Sequence, residues 1–138
     1  MDSRPLDDRL SASPQLSPDD LTAVAEAGFK AVISNRPDDE APDQPSAAEM
    51  RAAAEAAGLA FAHLPVVGGS ISDEDVAAFR KTLEDLPQPV LGFCRSGART
   101  TTMWALALAG ERPADDLISC ARAAGYDLSG LQPRLQGK

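Results

Sequence analysis

Residues 89–102, Pro-Val-Leu-Gly-Phe-Cys-Arg-Ser-Gly-Ala-Arg-Thr-Thr-Thr, decide how the rest of the chain is read. Pro89 to Phe93 has the short apolar character of a buried strand, and the run from Thr100 through Met103, Trp104 and Leu108 has that of an apolar helix. Cys94 to Arg99 is then the turn between them. The first turn of a helix offers unpartnered backbone N–H groups and a positive dipole end, so anions bind there. Gly97 lets the backbone curl so that successive amides point inward, and Arg99 returns a fixed positive charge to the same spot. The expectation is a Cys94 thiol that ionises more easily than a free cysteine.

Working outward, Arg9–Ser13 reads as a short edge strand. Ser17-Pro18-Asp19-Asp20 reads as a helix start with Ser17 as the cap, and Gly28 ends that helix. Lys30 to Ser34 is a continuous apolar strand of the kind found inside parallel sheets. The loop 35–45 is polar and rich in proline. Ser46 with Glu49 makes a capping box for a helix to about Ala57, and Leu59 to Leu64 is the next strand. A further helix is capped by Ser72 and buries Val76, Phe79 and Leu83. A last clear helix begins at Pro113, turns Leu117 and Cys120 inward and stops near Gly125. A short helix near Leu128 to Leu131 closes the pattern, and residues 1–8 and 132–138 are expected to be loose.

Strands alternating with helices imply parallel strands joined by crossovers, and so an α/β fold: a single three-layer domain over residues 1–138, with helices on both faces of a mostly parallel central sheet. Ligands of such sheets bind beyond the carboxyl ends of the strands. Three loops leave those ends, after Ser34, after Leu64 and after Phe93.

A chain of 138 residues with 43% hydrophobic residues can fill one core, and a net charge of -8 argues against nucleic acid or an anionic membrane as partner. A local positive well at Arg95 and Arg99 still admits a small anionic substrate. The opening residues lack the apolar run of a signal peptide, no stretch is long enough to span a bilayer, and two cysteines are too few for a disulfide framework. A cytoplasmic location is expected. One histidine and two distant cysteines do not make an ordinary zinc site, and no cofactor is implied.

Each candidate has a bland counterpart. A cysteine at a strand end is ordinarily a small buried hydrophobe, but Gly97 and Arg99 at fixed offsets favour a nucleophile. Around it, Arg95, Ser96, Gly97, Ala98 and Thr100 form the expected anion-binding loop, with Arg95 leaning towards solvent. Asn35, Arg36, His63, Val67 and Gly68 are candidate walls. Arg36 either guards the site or makes a surface ion pair, and His63 reads as a structural hydrogen-bonder. Cys120 reads as helical core, and Asp38-Asp39-Glu40 as a solvated loop.

The spacing Cys-x-x-Gly-x-Arg-Thr resembles the cysteine-loop enzymes, rhodanese sulfurtransferases on one side and dual-specificity or tyrosine phosphatases on the other. Together with residues 28–38 and His63-Leu64-Pro65-Val66, it resembles the bacterial phosphatase-like domain family also found fused in beta-lactamase-hydrolase-like proteins. The resemblance runs from about Leu10 to Gly110 and beyond. It implies a tyrosine phosphatase-like fold of the dual-specificity type, with Cys94 as nucleophile and Arg99 as its anion-binding partner.

Two departures separate the enzyme readings. The phosphatase loop has one more residue between cysteine and arginine, whereas Cys-x4-Arg equals the rhodanese count. Phosphatases of this group also carry an acid near the position of Gly68, and here none occurs until Asp73. The preferred reading is therefore sulfur transfer through a Cys94 persulfide, from thiosulfate or a persulfide to an acceptor thiol, which a protein could carry. The alternative is a phosphatase acting on a phosphoester through a phosphocysteine. A non-catalytic module binding a phosphorylated partner is the third.

Overall fold

In the computed structural model, which describes residues 2–136, four parallel strands end in one row. Strands β1 (Arg4–Pro5), β2 (Leu10–Ser13), β3 (Ala31–Ser34), β4 (Ala60–His63) and β5 (Val90–Phe93) form one sheet in the order β1-β2-β5-β3-β4. Only β1 is antiparallel. The register aligns Ser13, Phe93, Ser34 and His63, so all four following loops leave from the same edge.

Alternation along the strands sends side chains to opposite faces. Val32, Leu91, Phe93 and Phe61 pack with Leu21 and Val24 of α1 (Asp20–Glu26) and Met50 and Ala54 of α2 (Ala47–Ala56). Ala31, Ile33, Val90 and Leu10 face the other way. They meet α3 (Asp73–Asp85), α4 (Ala98–Leu108), α5 (Ala114–Ala123) and α6 (Gln132–Gln136). The second face holds Trp104 and Phe79, both fully buried. Burial of each such side chain stabilises the fold by roughly 1.5–3 kcal/mol. The result is a three-layer α/β domain.

The capping boxes at Ser46 and Ser72 are present as read, each hydroxyl accepting from the amide three residues on. Other boundaries differ. Arg9–Ser13 is not an edge strand: β2 lies between β1 and β5 with all four residues buried, because Ala12 and two serines are small enough to sit inside the sheet. Ser17 does not cap α1. Its carbonyl and that of Pro18 close a turn onto Asp20 and Leu21, and its amide donates to Asp20 Oδ2 at 2.8 Å, so the helix starts after that turn.

The ends expected to be loose are packed where described. Leu6 is buried beside β1, and Trp104 Nε1 donates to Asp7 Oδ2 at 2.8 Å. A 3-10 turn at Ser129–Leu131 leads into α6, which buries Leu135. Single apolar anchors of this kind leave no periodic trace in so short a segment. Met1, Gly137 and Lys138 lie outside the described residues. Among the described residues, no helix is long and apolar enough to cross a membrane.

Candidate active site

Helix α4 starts at Ala98, earlier than its apolar run suggests, so Arg99 belongs to its first turn and the connecting loop is only Cys94 to Gly97. Two glycines make this geometry possible. A Cβ on Gly92 would lie 2.6 Å from Thr100 Cγ2, so the bare strand lets the head of α4 close onto β5. Gly97 has φ +95°, and a Cβ there would collide with the Tyr126 hydroxyl.

Cys94 is fully buried, and its Sγ accepts the Gly97 N–H at 3.1 Å. The loop is tied down on either side of that bond. Ala98 N–H goes to Ser96 Oγ at 3.2 Å, Tyr126 Oη donates to the Ser96 carbonyl at 3.1 Å, and Thr101 Oγ1 donates to the Gly97 carbonyl at 2.9 Å. Of the expected amide array, then, Gly97 points at sulfur while Ala98 is occupied by a neighbouring hydroxyl. Burial pushes the Tyr126 phenol up from its ordinary value; Arg4 opposes this and the neighbouring Cys94 adds to it.

Arg99 is gripped from two other loops. Its Nη1 donates to Glu40 Oε2 at 2.7 Å and to the Val66 carbonyl at 3.1 Å, and its Nη2 to Glu40 Oε1 at 2.8 Å. Glu40 Oε1 also accepts from Arg36 Nε at 3.0 Å, and Arg36 Nη1 donates to Gln15 Oε1 at 3.0 Å. Its hydrogen bonds with Arg99, against the opposing effect of burial and with help from Arg36, hold the Glu40 carboxyl at about 2. The Arg99 guanidinium is correspondingly raised, first by Glu40, with burial opposing and Cys94 contributing.

The acidic run 38–40 is therefore not simply a solvated loop: Glu40 is the hub of a four-residue network, because two guanidinium groups converge on its carboxylate. Nor is Arg36 a surface ion pair, since its side chain is only 6% exposed. Gln15 shows that the loop after β2 forms a fourth wall, joined to the cysteine loop by its N–H to the Arg95 carbonyl at 3.2 Å.

Other candidates take supporting places. Asn35 is fully buried; its Nδ2 donates to the Leu64 carbonyl at 3.0 Å and its Oδ1 accepts from Thr100 Oγ1 at 2.8 Å. These two side chains brace three loops internally and do not form an open wall or an anion contact. His63 Nε2 lies 2.9 Å from the Arg36 carbonyl, a structural hydrogen bond. Arg95 and Ser96 are exposed at the rim. Val67 is exposed too, while Gly68 joins Gly69, Ile71, Ala98, Arg99, Thr102, Leu131 and Arg134 around a cavity of about 290 Å³. Cys120 is half-buried on α5 and accepts from Arg112 Nη2 at 3.2 Å.

Glu40, Gln15 and Tyr126 were not evident from the sequence. The one local signal was the four-residue spacing of Arg36 and Glu40, which carries weight only in a helix and here falls in a proline-rich loop.

A sulfur at the head of the helix after the central strand, with an arginine in that helix's first turn, sits on a protein tyrosine phosphatase-like fold, and that is the class of this domain. More particularly, the chain belongs to the family described as beta-lactamase hydrolase-like protein, phosphatase-like domain, which matches residues 2–111. A beta-lactamase hydrolase-like protein of Xylella fastidiosa (strain Temecula1) is 35% identical over 125 residues, 89% of this chain and 29% of that protein. The chain thus spans less than a third of the curated relatives it matches. A candidate phosphatase from Neisseria meningitidis Z2491 superposes with a TM-score of 0.90 at 38% identity, covering 99% of this chain and 98% of the other. TpbA of P. aeruginosa, solved in complex with pTyr, has a TM-score of 0.65 at 18% identity over 99% and 91% of the two chains, a likeness of fold alone.

Proposed function

We propose that this domain hydrolyses phosphate monoesters, aryl phosphates above all, through a phosphocysteine at Cys94. The observation that carries this reading is the Gly97 N–H on Cys94 Sγ at 3.1 Å, with the Arg99 guanidinium entering from the first turn of the same helix. The neighbours support it as well: a candidate phosphatase shares the whole fold, and a more distant relative of the fold was solved with phosphotyrosine. This reverses the preference for sulfur transfer drawn from loop length.

In the first step the Cys94 thiolate attacks phosphorus; the S–P bond forms as the P–O(aryl) bond breaks, and the phenolate leaves. Water then attacks the phosphocysteine, releasing inorganic phosphate and restoring the thiolate. Arg99 and the head of α4 hold the negative charge of the phosphoryl oxygens through both steps. Because residues 65–72 carry no acid, a leaving group that departs without protonation is required, and this selects aryl over alkyl esters. Cys94 is closed to solvent, so attack follows an opening of the rim above it.

Sulfur transfer remains a second reading, favoured by the Cys-x4-Arg count. There the thiolate attacks the sulfane sulfur of thiosulfate, sulfite leaves, and the Cys94 persulfide passes its sulfur to an acceptor thiol. One experiment separates the two. Protein is incubated with p-nitrophenyl phosphate and, in parallel, with thiosulfate; released phosphate and the mass of the Cys94 peptide are measured. Phosphate release that falls at least ~1000-fold in Cys94→Ser is expected, with no one-sulfur adduct. A sulfur adduct on Cys94 without phosphate release would overturn the hydrolase.

A further inference from the structure

We propose that Tyr126 is a positioning residue for the cysteine loop: by donating to the Ser96 carbonyl it fixes the Ser96–Gly97 peptide with its N–H on Cys94 Sγ. The inference rests on the reading of Cys94 as the nucleophile. Tyr126 itself lies outside residues 2–111, the part of the chain matched by the family.

The two hydrogen bonds belong to one peptide group. Its carbonyl accepts from Tyr126 Oη at 3.1 Å, and its N–H donates to Sγ at 3.1 Å. In a planar trans peptide these two groups point in opposite directions, so whatever holds the carbonyl aims the N–H. A donor on the carbonyl also polarises the peptide and strengthens the bond at its other end.

The local backbone does not choose that orientation. Turning the peptide over would carry φ of Gly97 from +95° to the negative side, and glycine takes either side about equally well. The peptide would then set the Ser96 oxygen against a thiolate in place of an N–H. Its neighbours have ties of their own. The Arg95 carbonyl accepts from the Gln15 N–H at 3.2 Å, and the Gly97 carbonyl accepts from the Thr101 N–H at 3.0 Å and from Thr101 Oγ1 at 2.9 Å. Among the described residues, only Tyr126 holds the Ser96 carbonyl.

The tyrosine is in turn held in place from two sides. Its N–H closes the end of α5 on the Ala121 carbonyl at 2.8 Å. Arg4 of β1 covers the ring, with Cζ 5.4 Å from the centroid, in space left by Gly125, where a Cβ would lie 2.6 Å from Arg4 Nη1. The side chain is only 8% exposed, and burial raises its phenol, so the hydroxyl keeps its proton and remains a donor.

Tyr126→Phe keeps the ring and its contact with Arg4 and removes the donor. The readout is amide hydrogen exchange followed by NMR at pH 6. In the variant the Gly97 N–H is expected to exchange about 3- to 10-fold faster, while the Thr101 N–H, bonded to the Gly97 carbonyl, keeps its rate. An unchanged Gly97 rate overturns the assignment, because the peptide is then held without the tyrosine. So do Gly97 and Thr101 rates that rise together, since the hydroxyl would then support the loop as a whole.

A second measurement needs no substitution of the chain. Tyr126 is its only tyrosine, so biosynthetic 3-fluorotyrosine alters this position alone. The fluorinated phenol is a stronger donor and should slow Gly97 exchange about 1.5- to 2-fold, opposite in sign to phenylalanine. A rate that is equal or faster overturns the proposal. Turnover of p-nitrophenyl phosphate is measured in parallel, and kcat/KM should fall about 3- to 10-fold in Tyr126→Phe. An active wild-type chain with unchanged turnover in the variant also overturns it. The expected exchange pattern in a wild-type chain that releases no phosphate would sink the hydrolase and leave the hold of Tyr126 on the peptide standing.

Discussion

The loop after β5 and the loop after β4 approach the same arginine and are built in opposite ways. In the first, Cys94, Ser96, Gly97 and Ala98 are joined by hydrogen bonds to one another, to Tyr126 and to α4. In the second, Val67 is 59% exposed, and a Cβ at Gly68 or Gly69 would meet nothing within 4 Å. The difference separates two requirements of catalysis. Holding a nucleophile and an anion needs fixed donors. Supplying a proton to a leaving group needs an acid, and the open loop has none. The site is therefore organised to bind and attack, and it leaves departure to the chemistry of the ester.

The hardest blow to this contrast is Gly97→Ala. An alanine at φ +95° is strained, and its methyl collides with the Tyr126 hydroxyl and lies 3.2 Å from the Ser13 carbonyl. The expected loss is about 2–4 kcal/mol in urea denaturation, with phosphate release lost as well. Adding Tyr126→Phe, which removes the hydroxyl, should restore part of the stability. A neutral Gly97→Ala would show that the loop after β5 is as pliable as the one it faces.

What could be read without coordinates follows the same division between local and distant. The switch from strand to helix around Cys94 is written in consecutive residues, as are the capping boxes at Ser46 and Ser72, because each depends on neighbours three or four positions away. Glu40 reaches Arg99 across 59 positions, and Tyr126 reaches Ser96 across 30. Partnerships of that span depend on which loops the sheet order places side by side, and β5 lies between β2 and β3 although it comes last of the five strands. For this reason the acidic run 38–40 looked like ordinary solvated surface. Asn35 and Thr100 were recognisable as belonging to the site, but that they spend their side chains on each other could not be read.

A gentler probe acts on the tie between the loops. The Glu40 carboxyl is held at about 2, against an ordinary value of 4.5, chiefly by its hydrogen bonds with Arg99. A depressed carboxyl contributes stability that is complete above the unfolded value and is lost as the pH falls towards the folded one. The window is therefore pH 4.5 down to 2. Allowing for solvent screening at a partly exposed pair, the loss should be about 1 kcal/mol. Urea denaturation at pH 6 and pH 3 should show the wild-type chain losing somewhat more than half of that beyond what Glu40→Gln loses, the rest going only below pH 3. Equal losses would mean that the pair does not stabilise the fold in solution.

The smallest effect comes from giving the open loop what it lacks. Gly68 has room for a side chain and borders the cavity beside Arg99. Gly68→Asp should leave stability within about 0.5 kcal/mol, as befits an exposed position with no contact to lose. An acid there can protonate a departing alkoxide, whereas a nitrophenolate leaves without help. The ratio of alkyl to aryl phosphate turnover should therefore rise, but only about threefold, because nothing around residue 68 would hold the new carboxyl in place or raise its proton affinity. If aryl and alkyl rates rise together, the new side chain acts on binding and not on departure. If the ratio rises by a hundredfold, the loop after β4 is better ordered than its exposure suggests, and the contrast with the cysteine loop is one of missing chemistry alone.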